Sequence, residues 1–205
     1  MYKPKIITFE GIDGSGKTTH ILKVKKFLKS KKISFHVFRE PGGSKNSEII
    51  RRIILNKKNN FEKFTDLLLY MASRNENMKM IEKYKNKKVI LIDRFIHSSL
   101  AYQHYGMGVK SNIINKLNKL IIKDIKISFT FLMIVNKKNL KRRFTIRKKL
   151  NRYDRFSYKF YSKVQNGYLK LSNKENNKFL IINSNENIID NQKLINNKIK
   201  AILNI

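Results

Sequence analysis

The feature that most constrains the fold of this 205-residue chain is a glycine-rich loop that begins at Gly11 and ends at Thr18. The loop reads GIDGSGKT, fits the pattern G-x-x-x-x-G-K-[ST], and lies between a strand-like apolar run and a helical pattern. Glycines let the backbone wrap a phosphate with its N–H groups, and the N-terminus of the following helix favours negative charge. We therefore predict a nucleotide-phosphate site, with the Lys17 ammonium on the phosphates and the Thr18 hydroxyl on Mg²⁺. The predicted phosphate-binding residues are Gly11, Ile12, Asp13, Gly14, Ser15, Gly16, Lys17 and Thr18.

Five apolar runs rich in β-branched residues predict strands at 5–10, 34–40, 88–93, 127–135 and 178–183. Stretches with helical spacing separate them, and the last stretch predicts a final helix after residue 183. Near-continuous apolar strands that alternate with helices are typical of a parallel sheet covered on both faces. We therefore predict a three-layer α/β architecture in one domain, residues 1–205, with ligands beyond the carboxyl ends of the strands.

The amino-acid composition limits the kinds of cross-link and metal site that the protein can have and the cell compartment that we expect for it. The chain has no cysteine, which rules out disulfides and thiolate zinc sites. No signal-peptide pattern and no run of about eighteen apolar residues is present, so we expect a cytoplasmic protein without a membrane span.

The charge balance is strongly basic, with 46 Lys and Arg against 14 Asp and Glu and a net charge of +32. Such a balance suits nucleic-acid binding, because phosphate counterions are released on association. The lysines are spread along the chain and mixed with Asn and Ile, as in LNKKNN and KYKNKK, which favours a composition bias over a selected patch. We therefore do not expect nucleic acid as a partner.

Two aspartates adjoin the predicted phosphate site. Asp13 lies inside a loop whose ligand it would repel, which suggests a contact with a sugar hydroxyl or a metal-bound water. Asp93, at the end of the third predicted strand, is placed to orient the hydration shell of Mg²⁺. The alternatives are a solvated loop carboxylate for Asp13 and a helix N-cap or turn residue for Asp93.

Four arginines are placed to bind a second phosphate. Arg39 lies at the end of the second predicted strand and Arg94 follows the third, while Arg51 and Arg74 lie on predicted helices. Converging guanidinium groups favour a dianionic phosphate facing the first one, although each could instead be a surface ion-pair partner. Tyr70 lies four residues before Arg74 on one helix face, so that a ring and a cation could together hold a nucleobase. A core aromatic is the alternative for Tyr70.

The segment 140–156, LKRRFTIRKKLNRYDRF, is strongly basic. A mobile lid that carries arginines can stabilise the charge of a phosphoryl group in transfer and exclude water. We predict a short basic lid at about 142–155, with a solvated cationic helix face as the alternative.

The sequence resembles the bacterial thymidylate kinases, which transfer the γ-phosphate of ATP to dTMP in dTTP biosynthesis. The resemblance is carried by FEGIDGSGKTT, FREPGG, LLLYMASR, IDRFIHSSLAYQ and FYSKVQNGYLKLS, in that order over nearly the whole chain. It implies a P-loop fold with a five-stranded parallel sheet, ATP and Mg²⁺ as ligands, dTMP as the small-molecule substrate, and a homodimer.

The resemblance also implies individual roles. Asp13 would meet the deoxyribose 3′-hydroxyl, Arg94 the dTMP phosphate, and Tyr102 would crowd the sugar 2′ position. Tyr70 would stack on thymine, and Arg74 and Ser99 would read its edge. Gly14 stands where a related subclass carries a catalytic arginine, which moves that role to the lid, to Arg152 or else Arg147. The implied catalytic residues are Lys17, Asp13, Arg94 and Arg152, and the implied substrate contacts are Arg39, Arg51, Tyr70, Arg74, Arg94, Ser99 and Tyr102.

The sequence departs from the family pattern at His97, His104 and Met107, at Tyr70, where phenylalanine is usual, and at Asp154, where the lid pattern has glutamate. These departures lead us to expect reduced efficiency rather than a changed reaction. Two other functions stay open on the sequence: a kinase for another nucleoside monophosphate, and an inactive or nucleic-acid-binding protein that keeps this fold.

Overall fold

The structure is a computed structural model that describes residues 5–146 and 151–205. Its strands are β1 Ile6–Glu10, β2 Phe35–Arg39, β3 Val89–Asp93, β4 Phe129–Ile134 and β5 Phe179–Asn183. Its α-helices are α1 Lys17–Ser30, α2 Lys45–Leu55, α3 Lys63–Tyr84, α4 Ile96–Ser99, α5 Ser111–Ile122, α6 Lys137–Ile146, α7 Tyr158–Lys174 and α8 Ile188–Leu203. A π-helix, Leu100–Gly106, continues α4, and two short 3₁₀ turns cover Arg152–Arg155 and Asn176–Lys178.

The five strands form one parallel sheet in the order β2-β3-β1-β4-β5. Ile7 of the central strand β1 is paired with Leu91 on one side and Phe129 on the other. The predicted α/β architecture and the five strands are confirmed, with ends that shift by at most two residues.

Helices cover both faces of the sheet because side chains alternate along each strand. Ile7 and Phe9 pack against α1 and α8, where Val24 and Ile195 are buried. Ile90 and Ile92 point to the opposite face and pack with residues of α3 such as Ile81. The two cores hold the carboxyl ends of the strands at one edge of the sheet.

The predicted final helix is present as α8, although its Leu194 is 54% exposed. Within the described ranges, none of the helices is long and apolar enough to cross a membrane.

Candidate active site

The predicted site residues gather around a cavity of about 780 Å³ at the carboxyl edge of the sheet, a size typical of small-molecule sites. Parallel strands end at a common edge, which brings together residues that are far apart in the sequence. The predicted residues that line it are Asp13, Gly14, Gly16, Lys17, Thr18, Arg39, Arg51, Tyr70, Asp93, Arg94 and Tyr102.

The phosphate loop, residues 11–18, leaves β1 and enters α1 at Lys17. Gly11 has φ 135°, and a Cβ there would lie 2.3 Å from the Met133 carbonyl oxygen, so only glycine fits this approach of loop and sheet. Gly11, Ile12 and Ser15 do not line the cavity in this structure. The carbonyls of Gly11 and Ile12 instead accept hydrogen bonds from the Lys17 ammonium, at 3.1 and 3.0 Å.

Lys17 is the buried cation of the loop, with 6% of its surface exposed. Burial, and then the nearby Arg94, lower the pKa of Lys17 from 10.5 to about 8. The Lys17 ammonium is hydrogen-bonded to carbonyl oxygens rather than to a carboxylate. An anionic phosphate would therefore be a more favourable partner for it.

Thr18 and Asp93 meet at the start of α1. The Thr18 hydroxyl donates to Asp93 Oδ2 at 3.3 Å, and Asp93 Oδ1 is buried with no hydrogen-bond partner among the described residues. An unpaired carboxylate oxygen beside a hydroxyl is a donor set that suits a hard cation, so the residues fit Mg²⁺.

Arg94 connects the phosphate loop to the rest of the cavity. Its Nη1 donates to the Gly11 carbonyl at 2.7 Å, and its Nη2 donates to Asp13 Oδ1 at 3.0 Å and to the Tyr102 hydroxyl at 3.1 Å. The backbone of Arg94 lies in the left-handed region, with φ 69°, directly after β3. Burial by itself would lower the pKa of Arg94, but Asp13 and the neighbouring hydroxyls more than offset it, and the pKa lies well above its usual value.

Asp13 is held from two sides. Tyr102 donates its hydroxyl to Asp13 Oδ2 at 2.7 Å, and Arg94 provides the ion pair. Burial raises the pKa of Tyr102 well above its usual value, so this hydroxyl keeps its proton. The structure thus brings Asp13, Arg94 and Tyr102 into one hydrogen-bonded group.

Three more predicted residues form the wall on the α2 and α3 side. Arg39 makes a two-pronged ion pair with Glu48, and Arg51 donates to the Pro41 carbonyl. Tyr70 lies in the same wall, and burial raises its pKa to about 12. This side of the cavity therefore carries two guanidinium groups and a protonated phenol.

Arg74 and Ser99 lie behind this wall and do not line the cavity in this structure. Arg74 is 1% exposed, forms an ion pair with Glu40 at 2.7 Å, and donates to the Ser99 hydroxyl at 3.0 Å. The Arg74 guanidinium also donates to the Asn118 side-chain oxygen and to the Phe95 carbonyl. The structure gives both residues a part in holding the wall, and their contact with a base edge stays a prediction.

Arg152, the lid arginine expected to face the phosphates, does not line the cavity in this structure, and its catalytic role stays a prediction. Arg152 points away from the cavity, into the protein, where Nη2 forms an ion pair with Asp66. The reason is charge: the Asp66 carboxylate is 1% exposed and needs a cationic partner. Arg147, the alternative, lies outside the described residues.

The basic segment does place an arginine at the cavity, namely Arg143 of α6. Its Nη1 donates to the Gly14 carbonyl at 2.8 Å, and its Nη2 donates to the Ser184 carbonyl. Sequence reasoning missed Arg143 because four neighbouring arginines and several lysines share the segment, and spacing alone does not select among them.

Glu10 was also missed, although a charged residue inside the apolar run ITFEG is a usable signal. Its buried carboxylate accepts from the Ser98 hydroxyl at 2.6 Å and from the Tyr168 hydroxyl at 3.1 Å. Tyr168 in turn accepts from Arg94 Nη1 at 3.3 Å. Glu10 therefore helps to position Arg94 through Tyr168. Nothing in the sequence around Tyr168 indicates that this tyrosine connects the two residues.

The substituted residues His97, His104 and Met107 lie away from the cavity lining. His97 is buried between Glu10 and Glu175, with nitrogen–oxygen distances of 4.0 and 3.7 Å.

Known proteins are similar to this chain in sequence and in fold. The sequence profile of the family Thymidylate kinase matches residues 9–195. Thymidylate kinase of Clostridium novyi is 39% identical over 91% of this chain and 93% of that protein. Thymidylate kinase of Mycoplasma capricolum is 37% identical over 96% of this chain and 93% of that protein.

A solved structure agrees with these sequences. The crystal structure of thymidylate kinase from Ehrlichia chaffeensis matches with a TM-score of 0.78 and 28% identity, over 97% of this chain and 99% of that one. A family profile that spans the phosphate loop and the lid, together with relatives above 30% identity along almost the full length, leads to one conclusion: this chain belongs to the thymidylate kinase family.

Proposed function

We propose that the protein transfers the γ-phosphate of ATP to dTMP and forms ADP and dTDP. The observation that carries this is Arg94, which hydrogen-bonds to the phosphate loop and to Asp13 while it faces the wall formed by Arg39, Arg51 and Tyr70. A phosphate chain on Lys17 and a second phosphate on Arg94 would then meet in one cavity. Membership of the family supports the same acceptor.

The transfer step needs little covalent chemistry from the protein. An oxygen of the dTMP phosphate forms a bond to the γ-phosphorus, while the bond from that phosphorus to the bridging oxygen breaks and ADP leaves. Both reactants are anions, so positive charge and alignment dominate the barrier. Lys17, Arg94 and Arg143 all line the cavity and would provide this positive charge, and no strong general base is required.

Thr18 and Asp93 would hold Mg²⁺, in keeping with an Asp93 Oδ1 that has no hydrogen-bond partner in the described part of the chain. The ion would neutralise charge on the β- and γ-phosphates. The donor nucleoside would occupy the end of the cavity beside Arg143 and Ile188, which both line it.

The acceptor end of the cavity favours a deoxynucleotide with a flat base. Tyr102 and Asp13 are bonded to each other, and together they would receive the sugar at its 3′-hydroxyl and leave little room for a 2′-hydroxyl. Tyr70 would lie against the thymine ring.

A panel of acceptors tests the function directly. We expect purified protein with ATP and Mg²⁺ to convert dTMP to dTDP, with dUMP a poorer acceptor and ribonucleotides poorer still. Coupled ADP release and chromatography of the products are the measurements. ADP release that is independent of dTMP would contradict the proposal, and preference for another monophosphate would identify a different kinase.

The lowered pKa of Lys17 gives a pH-dependence with two opposite signs. We expect kcat/KM for ATP to fall as pH rises through about 8, because the free enzyme then loses the Lys17 charge. Between pH 8 and 10.5 the unfolded chain keeps this proton while the folded chain releases it, so the contribution of Lys17 to the free energy of unfolding rises. Rate profiles and thermal unfolding of wild type and Lys17→Arg, whose guanidinium stays charged, measure both effects. If Lys17→Arg showed the same fall of kcat/KM through pH 8 as the wild type, Lys17 would not be the group that titrates.

We also propose that the protein is a homodimer. α2 and α3 pack against each other, and each exposes a pair of apolar residues four positions apart: Ile49 and Ile53, and Phe64 and Leu68, all at least 42% exposed. Residues at this spacing share a helix face, and a second copy would cover them.

We expect the double variant Ile53→Glu, Leu68→Glu to be a monomer in light scattering at concentrations where the wild type is a dimer. Leu194→Glu on α8, an apolar position that is 54% exposed, should leave the dimer intact. A dimer that survives the double variant would place the interface elsewhere.

We further propose a cytoplasmic location and no role for nucleic acid. The scattered lysines and the absence of cysteine support this.

A further inference from the structure

A buried carboxylate lies just outside the cavity and is not part of the transfer machinery described above. Asp66, in the first turn of α3, is 1% exposed and does not line the cavity. Its Oδ1 is the ion-pair partner of Arg152, and its Oδ2 accepts from the Tyr153 hydroxyl at 2.6 Å and from the Gln103 amide at 3.1 Å. Three donors from two other elements therefore converge on one side chain.

These donors belong to two elements that are far apart in the sequence. Arg152 and Tyr153 are in the 3₁₀ turn Arg152–Arg155 within the predicted lid, which we call the lid turn. Gln103 is in the π-helix, next to Tyr102. Asp66 thus joins the lid turn to the element that carries an acceptor-side residue.

Two of the three donors are themselves part of the cavity wall. Gln103 and Tyr153 both line it, and the Tyr153 ring packs edge-on against Tyr70, at 6.1 Å between centroids, and against Tyr102, at 5.8 Å. An acceptor base that settles against Tyr70 would press on the same ring that Asp66 holds by its hydroxyl.

Charge makes this connection hard to break. Removing the lid turn from α3 would separate a buried carboxylate from its cation, and both would need new solvation. The guanidinium of Arg152 is also stacked over Phe61 and Tyr153, each about 5 Å from the ring centre. The position of the lid turn therefore depends on Asp66 more than on any exposed contact of the turn.

We propose that Asp66 is a positioning residue that couples the lid turn to the acceptor pocket. An acceptor bound against Tyr70 and Gln103 fixes the lid turn more firmly through Asp66, and the fixed lid turn directs the γ-phosphate to the acceptor rather than to water. The proposal rests on the proposed kinase function.

Asp66→Asn tests it with nearly unchanged shape. Asparagine removes the charge and places an amide against donors that need acceptors. We expect KM for dTMP to rise about tenfold while KM for ATP stays within about twofold, since one charged hydrogen-bonded group is lost on the acceptor side alone. The share of ATP hydrolysed without formation of dTDP should rise as well. Asp66→Glu, which keeps the charge, should recover most of both properties.

A binding measurement separates this role from catalysis. The chain has no tryptophan, so Phe156→Trp beside the lid turn provides a single reporter. We expect dTMP alone to change its fluorescence, and the change to disappear when Asp66→Asn is added. Tyr153→Phe, which removes only one hydroxyl, should shift KM for dTMP in the same direction if Asp66→Asn does not fold.

The control is Glu82→Gln, a carboxylate of the same helix that is 43% exposed and paired with Lys85. It should resemble the wild type in every measurement. If wild type forms no dTDP, the proposed function fails. If wild type turns over dTMP but folded Asp66→Asn keeps its KM, its hydrolysis share and the fluorescence response, the coupling alone is overturned. Equal rises in KM for both substrates would also overturn it, because they indicate general loosening.

Discussion

Arg94→Met is expected to lower kcat/KM for dTMP about a thousandfold, the largest loss we anticipate for any acceptor-side residue. Methionine keeps much of the length of the side chain but removes the charge that would bind the acceptor phosphate. It also leaves Asp13 Oδ1 and the Gly11 carbonyl without the donors that Arg94 provides at 3.0 and 2.7 Å. Steady-state kinetics with dTMP varied at saturating ATP measure the loss.

Two further variants decide how this loss arises. Arg94→Lys keeps a positive charge without the planar fork, so it should recover only part of the activity. Arg52→Met, an exposed arginine of α2, should match the wild type. If Arg94→Met kept normal kcat/KM for dTMP, the acceptor phosphate would bind elsewhere and the proposed function would lose its central observation.

The fold could be predicted from the sequence because its determinants are local. Each strand is a short apolar run, and β1, β3 and β4 are buried almost throughout, as strands covered on both faces must be. The order of strands in the sheet did not follow from these runs, because any of several arrangements buries them equally well.

The candidate site shows the same difference between local features, which could be predicted, and features that depend on distant parts of the chain. The common position of Asp13, Asp93 and Arg94 at the cavity could be predicted, because a parallel sheet brings the ends of its strands together. Where a side chain on a helix points depends on the rotation of the helix and on the partners of the side chain. Arg74 lies on the predicted face of α3, yet its ion pair with Glu40 keeps it in the interior. The position of the Arg152 side chain could not be predicted for the same reason, since its partner Asp66 is 86 residues away in the chain.

The lid arginine expected to act beside Gly14 stays a prediction, and the structure places Arg143 rather than Arg152 next to this loop. The expectation that the lid supplies an arginine at this loop agrees with the contact of Arg143 with the Gly14 carbonyl. A Cβ on Gly14 would lie 3.0 Å from Leu140 and 3.1 Å from Phe144, so α6 occupies the space that a side chain at position 14 would need. The phosphate loop and α6 therefore pack directly against each other, and this packing places Arg143 beside the loop.

Arg143→Met is accordingly expected to lower kcat about a hundredfold or more, because a cation beside the phosphate loop acts on charge that develops during transfer. Arg142→Met, the exposed neighbour on the same helix, is the matched control and should leave kcat unchanged. Arg152→Met should act differently: it breaks the ion pair with Asp66, so it should raise KM for dTMP more than it lowers kcat. Single-turnover kinetics with ATP and dTMP separate the two patterns. If Arg152→Met or Arg147→Met removed transfer while Arg143→Met did not, the catalytic arginine would come from the lid beyond α6, and the contact of Arg143 with Gly14 would be structural.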